Sequence, residues 1–166
     1  MTRIVELTST LDCTADEAWH HVGSSALLHH ITHPLIRFVP TKATPFPERW
    51  TEGEYRAWML LFGVIPIGWQ AIRISFPDTD ERGTSTENTR YLRDNGYGPL
   101  IKRWDHWIEI APEVDKTSGE KTRYTDRVYI EAGLLTPLIA AFARIFYGHR
   151  QRRWCTLASD NFSAIS

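Results

Sequence analysis

Two side chains in the last third of the chain have the types and spacing for joint acid–base chemistry. His106 lies in a run at 100–111 and Asp126 in one at 121–132, both rich in aromatic and β-branched residues and both strand-like in their alternation. A hairpin centred near Lys116 would set the two opposite each other on one face, with Cβ atoms about 5 Å apart. A carboxylate there fixes the imidazole's tautomer and raises its pKa. Such a pair can abstract or donate a proton at an activated carbon. It can also orient a polar ligand group, or hold two strands in register as a buried hydrogen-bonded pair, and the residues leave all three roles open.

Other candidates are weaker. His149 falls on an apolar helical stripe, where it either faces His106 or ends the stripe. His29 and His33 stand at i, i+4, a spacing that can chelate zinc, but no cysteine or HExxH pattern supports them and Pro34 ends the segment. No metal and no cofactor are expected. Arg150, Arg152 and Arg153 beside Trp154 could grip phosphate or a membrane, but three charges are few, and a solvated helix end is the expected reading. Gly-rich phosphate loops, a nucleophile elbow and a Cys–His pairing are missing from the sequence.

The elements that would position these groups come at the chain's end. In the first run Trp104, His106, Ile108 and Ile110 share a face against Arg103, Asp105 and Glu109, with Trp107 the exception. In the second, Tyr124, Asp126, Val128 and Ile130 face away from Arg123, Thr125, Arg127 and Glu131. The stretch 112–120 reads as the loop between them. A long amphipathic helix follows at 136–157, with Thr136 as N-cap and Pro137 at N1. Leu138, Ile139, Phe142, Ile145, Phe146 and His149 form its apolar stripe, while Arg144 and Gln151 fall opposite.

Ahead of these lies a meander. Residues 3–11 read as a strand. Thr14 and Glu17 form a capping box, and Ser24 or Ser25 caps a second short helix. Strands are expected at 36–39, 52–62 (Trp58, Leu60 and Phe62 on one face), 67–76 and 84–93, with Asn95-Gly96 as a tight turn. Residues 159–166 read as a short, frayed polar tail after a single domain at 1–158. Strand, two short helices, six strands and a long helix make an α+β layer design.

Size and composition narrow the function. A chain of 166 residues can bury a substantial core, and a net charge of −1 gives no basic field for nucleic acid. No apolar run approaches a membrane span of about 20 residues. The start reads as strand and no signal peptide is expected, and two cysteines are too few for a disulfide framework, so a cytoplasmic location is expected. Seven Trp, seven Phe and six Tyr fit either a large core or a ring-lined cavity.

The order of elements, with Trp104-Asp105-His106-Trp107-Ile108-Glu109, then Thr122-Arg123-Tyr124-Thr125-Asp126-Arg127-Val128, then Ala132-Gly133-Leu134-Leu135, resembles the START/SRPBCC helix-grip superfamily, in particular its polyketide-cyclase/dehydrase-like branch. The resemblance implies a curved antiparallel sheet of about seven strands wrapped around a long C-terminal helix, with a cavity between them for a hydrophobic or amphipathic molecule. It does not imply one reaction. The expected function is therefore binding, by sensing or carrying, of a hydrophobic or aromatic small molecule or lipid. Trp58, Leu60, Trp104, His106, Tyr124, Asp126, Phe142, Ile145 and His149 are the expected lining. One alternative is a cyclase/dehydratase-type enzyme using His106 and Asp126; another is an adaptor for a protein partner with a vestigial cavity. A weak homodimer is compatible with either.

Overall fold

The computed structural model describes residues 1–84, 86–115 and 119–165. Strand β1 (Arg3–Leu11) leads into helices α1 (Ala15–Val22) and α2 (Ser25–Thr32), then strands β2 (Ile36–Pro40), β3 (Gly53–Leu61), β4 (Ile65–Ser75), β5 (Arg90–Gly96), β6 (Arg103–Asp115) and β7 (Gly119–Glu131), and helix α3 (Thr136–Ser159). The strands form one seven-stranded antiparallel sheet in the order β1-β7-β6-β5-β4-β3-β2. The pair α1–α2 therefore carries the chain from one edge strand to the other. Alternation buries Trp104, His106, Ile108 and Ile110 of β6, and Tyr124, Asp126, Val128 and Ile130 of β7, on the concave face where α3 lies.

Local chemistry explains the short helices. The Glu17 N–H donates to Thr14 Oγ1 at 3.2 Å, and the Thr14 N–H donates back to Glu17 Oε2 at 2.9 Å, a complete capping box. Ser24 Oγ accepts from the Leu27 N–H at 3.2 Å to start α2. Among the described residues no helix is long and apolar enough to cross a membrane.

Several expectations need correction. The stretch 112–120 is not a loop throughout: β6 runs to Asp115 and β7 restarts at Gly119. Pro112 is tolerated because it lies past Ile110, the last β6 residue paired to β5, and has a strand neighbour on the β7 side alone. The hairpin centre expected near Lys116 lies outside the described residues, but the register sets His106 opposite Val128 and Asp126 opposite Ile108. His106 and Asp126 are thus diagonal rather than directly opposed.

Asn95-Gly96 is strand, not turn. Gly96 is needed for a close approach, since a Cβ there would fall 2.6 Å from the Ala71 carbonyl oxygen of β4. Thr136 is the first residue of α3 rather than its cap. A 3₁₀ turn, Gly133–Leu135, precedes it, and Thr136 Oγ1 accepts from the Ala132 N–H at 2.9 Å while donating to the Gly133 carbonyl at 2.7 Å. The tail is docked: Phe162 is buried and its ring stacks on His21 with centroids 3.8 Å apart. Both cysteines are free thiols.

The stripe of α3 is rotated from the expected one. Its buried residues are Thr136, Ala143, Phe146, Tyr147, Arg150, Gln151, Trp154, Leu157 and Ala158. Leu138 and Ile145 are 70% and 66% exposed. The usual rule sends charged and polar groups outward; here Arg150 and Gln151 point inward, against the sheet.

Candidate functional site: a cavity under the long helix

Between the concave face and α3 lies a cavity of about 620 Å³, within the range of roughly 300–1,000 Å³ typical of small-molecule sites. Its walls include Leu27, Phe38, Ile72, Leu92, Ile108 and Phe146. Ile67, Leu100, Leu138 and Phe142 both line it and are exposed, by 38%, 62%, 70% and 37%, so they mark its mouth. The mouth thus lies between the start of β4, the β5–β6 connection and the first turns of α3.

Polar groups gather on one part of the wall. Gln70 comes from β4, Asp94 from β5, His106 from β6, and Tyr147 and Arg150 from α3. Asp94 and His106 are directly opposed in the β5–β6 register. His106 Nε2 donates to Asp126 Oδ1 at 2.7 Å. Tyr124 Oη donates to the same oxygen at 2.5 Å, and Gln151 Nε2 donates to Oδ2 at 3.0 Å. Gln151 Nε2 also donates to the Leu7 carbonyl at 2.9 Å, which ties the network to β1.

Electrostatics sets the protonation states. Burial pushes His106 below its ordinary value, and the nearby Arg150 charge adds to this, outweighing the Asp126 carboxylate. The expectation that the carboxylate would raise the histidine is thus overturned, because desolvation is the larger effect. Burial alone would raise Asp126, but its hydrogen bond from His106, the Arg150 charge and the Tyr124 hydroxyl hold it below the usual carboxylate range. The pair is therefore a neutral imidazole donating to a carboxylate. Its other ring nitrogen, Nδ1, keeps a lone pair with no protein donor among the described residues. Asp94 is pushed up to about 7 by burial, against the Arg73 backbone N–H that it accepts at 2.8 Å. Its accessible part opens on the cavity that it lines.

Of the residues expected to line a site, Trp104, His106 and Phe142 border the cavity. Tyr124 and Asp126 are fully buried behind His106. Trp58 and Leu60 lie outside the lining: β3 turns Ala57 and Met59 inward and leaves Trp58 47% exposed. Ile145 faces outward, and His149 Nε2 donates to the His33 carbonyl at 2.8 Å, tying α3 to the end of α2. Arg150, Tyr147, Asp94 and Gln70 were not among the expected residues. A stripe drawn through Tyr147, Trp154 and Leu157 would have placed Arg150 inside, and strand alternation with Leu92 would have done the same for Asp94.

Residues 9–157 match the family described as a domain of unknown function (DUF8410). The chain belongs to that family. No functionally curated protein matches the sequence. In fold, the chain is similar to a START superfamily protein from Mycobacterium smegmatis, at 12% identity over 95% of this chain and 97% of that one, with a TM-score of 0.59. It is also similar to Zhui aromatase/cyclase from a Streptomyces strain, at 15% identity over 99% and 98%, TM-score 0.60. A conserved protein from Geobacillus kaustophilus matches at 14% identity over 95% and 96%, TM-score 0.57. Likenesses at such identities are likenesses of fold, and the fold is the START-type helix grip.

Proposed function

We propose that the protein binds a hydrophobic or aromatic small molecule in the cavity under α3. The observation that carries this reading is the cavity of about 620 Å³, apolar over most of its wall and polar at one part. Apolar area supplies affinity and a few placed polar groups supply orientation. The fold shared with START superfamily proteins supports the same reading. Native mass spectrometry of freshly purified protein tests it. Bound material released on denaturation, or stoichiometric uptake of an added aromatic or fatty compound, is the expected result. A bare chain that takes up neither would refute it.

One observation favours a second reading, proton transfer. His106 is neutral, held by Asp126 at 2.7 Å, and borders the cavity, so Nδ1 is a candidate base for an acidic C–H between two carbonyls. An aromatase/cyclase with this fold suggests a poly-β-ketone as the substrate to try. Under this reading His106→Gln preserves binding of such a compound and lowers its turnover by about 10²–10⁴-fold. Equal consumption by wild type and variant would end it.

A further inference from the structure

We infer that Arg150 makes the polar part of the cavity an anion site, and that the ligand is a carboxylic acid with an aliphatic or aromatic body. The inference rests on the ligand-binding reading above and gives the ligand a chemical class.

Arg150 is 7% exposed and lines the cavity. Its guanidinium stands over the rings of Tyr147 and Phe146, at 4.9 and 5.7 Å from their centroids. Ring contacts of this kind hold the planar group but leave its N–H edges free. Among the described residues no acceptor meets any of its nitrogens, no carboxylate forms an ion pair with it, and Nε is covered and unpaired. Both acidic side chains nearby are otherwise engaged. Asp126 accepts from His106, Tyr124 and Gln151, and Asp94 accepts from the Arg73 backbone. They act on Arg150 through space only.

Through-space attraction keeps the guanidinium charged, but its buried N–H donors are left without an acceptor, which is unfavourable until a ligand supplies one. The fork of a guanidinium matches a carboxylate through two parallel N–H···O bonds. A phosphate would bring about −1.5 to −2 of charge to a site with one cation, where two aspartates already stand. A carboxylate brings a single charge, the least that an anion can add beside the Asp126 carboxylate. Gln70 is a second buried polar side chain on the wall that has no side-chain hydrogen bond among the described residues, available for an additional contact.

Calorimetric titration of matched pairs tests this: 2-naphthoic acid against 2-naphthylmethanol, and decanoic acid against decan-1-ol. Wild type is expected to bind each acid about 10- to 100-fold more tightly than its alcohol. Arg150→Met is expected to abolish that preference, leave alcohol binding in place, and lower the ligand-free melting temperature by no more than a few degrees, because what is lost is a through-space attraction to Asp126 and no hydrogen bond. Arg150→Lys keeps the charge without the fork and should retain only part of the preference. Alcohols binding as well as acids in wild type would overturn the inference and leave the binding function standing. So would an unchanged preference in Arg150→Met, or a collapse of that variant's fold. Failure of all four compounds to bind would overturn both.

Discussion

The two ends of α3 live in different surroundings. Toward its C-terminus, Leu157 and Ala158 are buried to within a few per cent, and Trp154, which closes the inner end of the cavity, is fully buried and meets the Tyr124 ring edge-on at 4.2 Å. These last turns are tied to β1 and the residue after it, with Cys155 Sγ donating to the Thr10 carbonyl at 3.7 Å and Ser159 Oγ to Asp12 Oδ2 at 3.0 Å. Toward its N-terminus the same helix presents Leu138 and Phe142 to a cavity mouth. There β4 and β5 pair through Ile74↔Asp94 and Ser75↔Arg93, with an isolated bridge at Ala71↔Tyr97. A closed end that holds the fold lets the other end stay open without unfolding, and the polar cluster sits where the two meet.

Substitutions can sharpen or break that contrast. At the closed end, Trp154→Ala should cost about 3–5 kcal/mol in chemical denaturation. A loss under about 1 kcal/mol would mean that this end is no better packed than the other.

Asp126→Asn should cost roughly 3 kcal/mol, because an amide replaces a buried carboxylate that takes hydrogen bonds from His106, Tyr124 and Gln151. The sign with pH follows from its lowered pKa. Its contribution is present above the ordinary carboxylate range and is lost as pH falls through the folded-state value, so the variant should lack that part of the acid-unfolding curve.

Asp94 behaves oppositely. Its carboxyl is raised from 3.8 to about 7, so the folded state binds the proton more tightly and stability falls as pH rises between those values. Asp94→Asn should flatten that slope and gain about 1–3 kcal/mol at pH 8 relative to pH 5, the figure being discounted for the part of Asp94 that opens on the cavity. A slope unchanged in the variant would remove Asp94 from the wall's charge balance.

Phe142→Ala, at the mouth, should cost only about 1 kcal/mol in stability, since the ring is 37% exposed and stacks on Phe146. A loss equal to that of Trp154→Ala would erase the distinction between the two ends.

Much of the closed end was legible in the sequence, because alternation in β6 and β7, Trp107 apart, gives one apolar face, and the capping box of Thr14 and Glu17 marks α1. The diagonal His106–Asp126 contact was less so: the hairpin register sets His106 opposite Val128, and side chains reach across the diagonal. The open end was harder to read for two reasons. In β3 both faces carry large apolar groups, so the pattern supplies the period but not the phase, and Trp58 outweighed Met59. In α3, hydrophobicity ranked Leu138 and Ile145 above Arg150 and Gln151, yet Arg150 is buried on the cavity wall and Gln151 behind it, donating to Asp126 and the Leu7 carbonyl. The residues that hydropathy misplaces are those that the proposed site uses.

The most direct measurement is titration with a neutral apolar fluorophore, N-phenyl-1-naphthylamine, of wild type and of Ile72→Trp, whose larger ring fills the cavity from the β4 wall. The account predicts saturation at about one probe per chain in wild type and a loss of binding in the variant, with the melting temperature held within a few degrees. Saturable binding that survives undiminished in a folded Ile72→Trp protein, or no saturable binding in wild type, would contradict it.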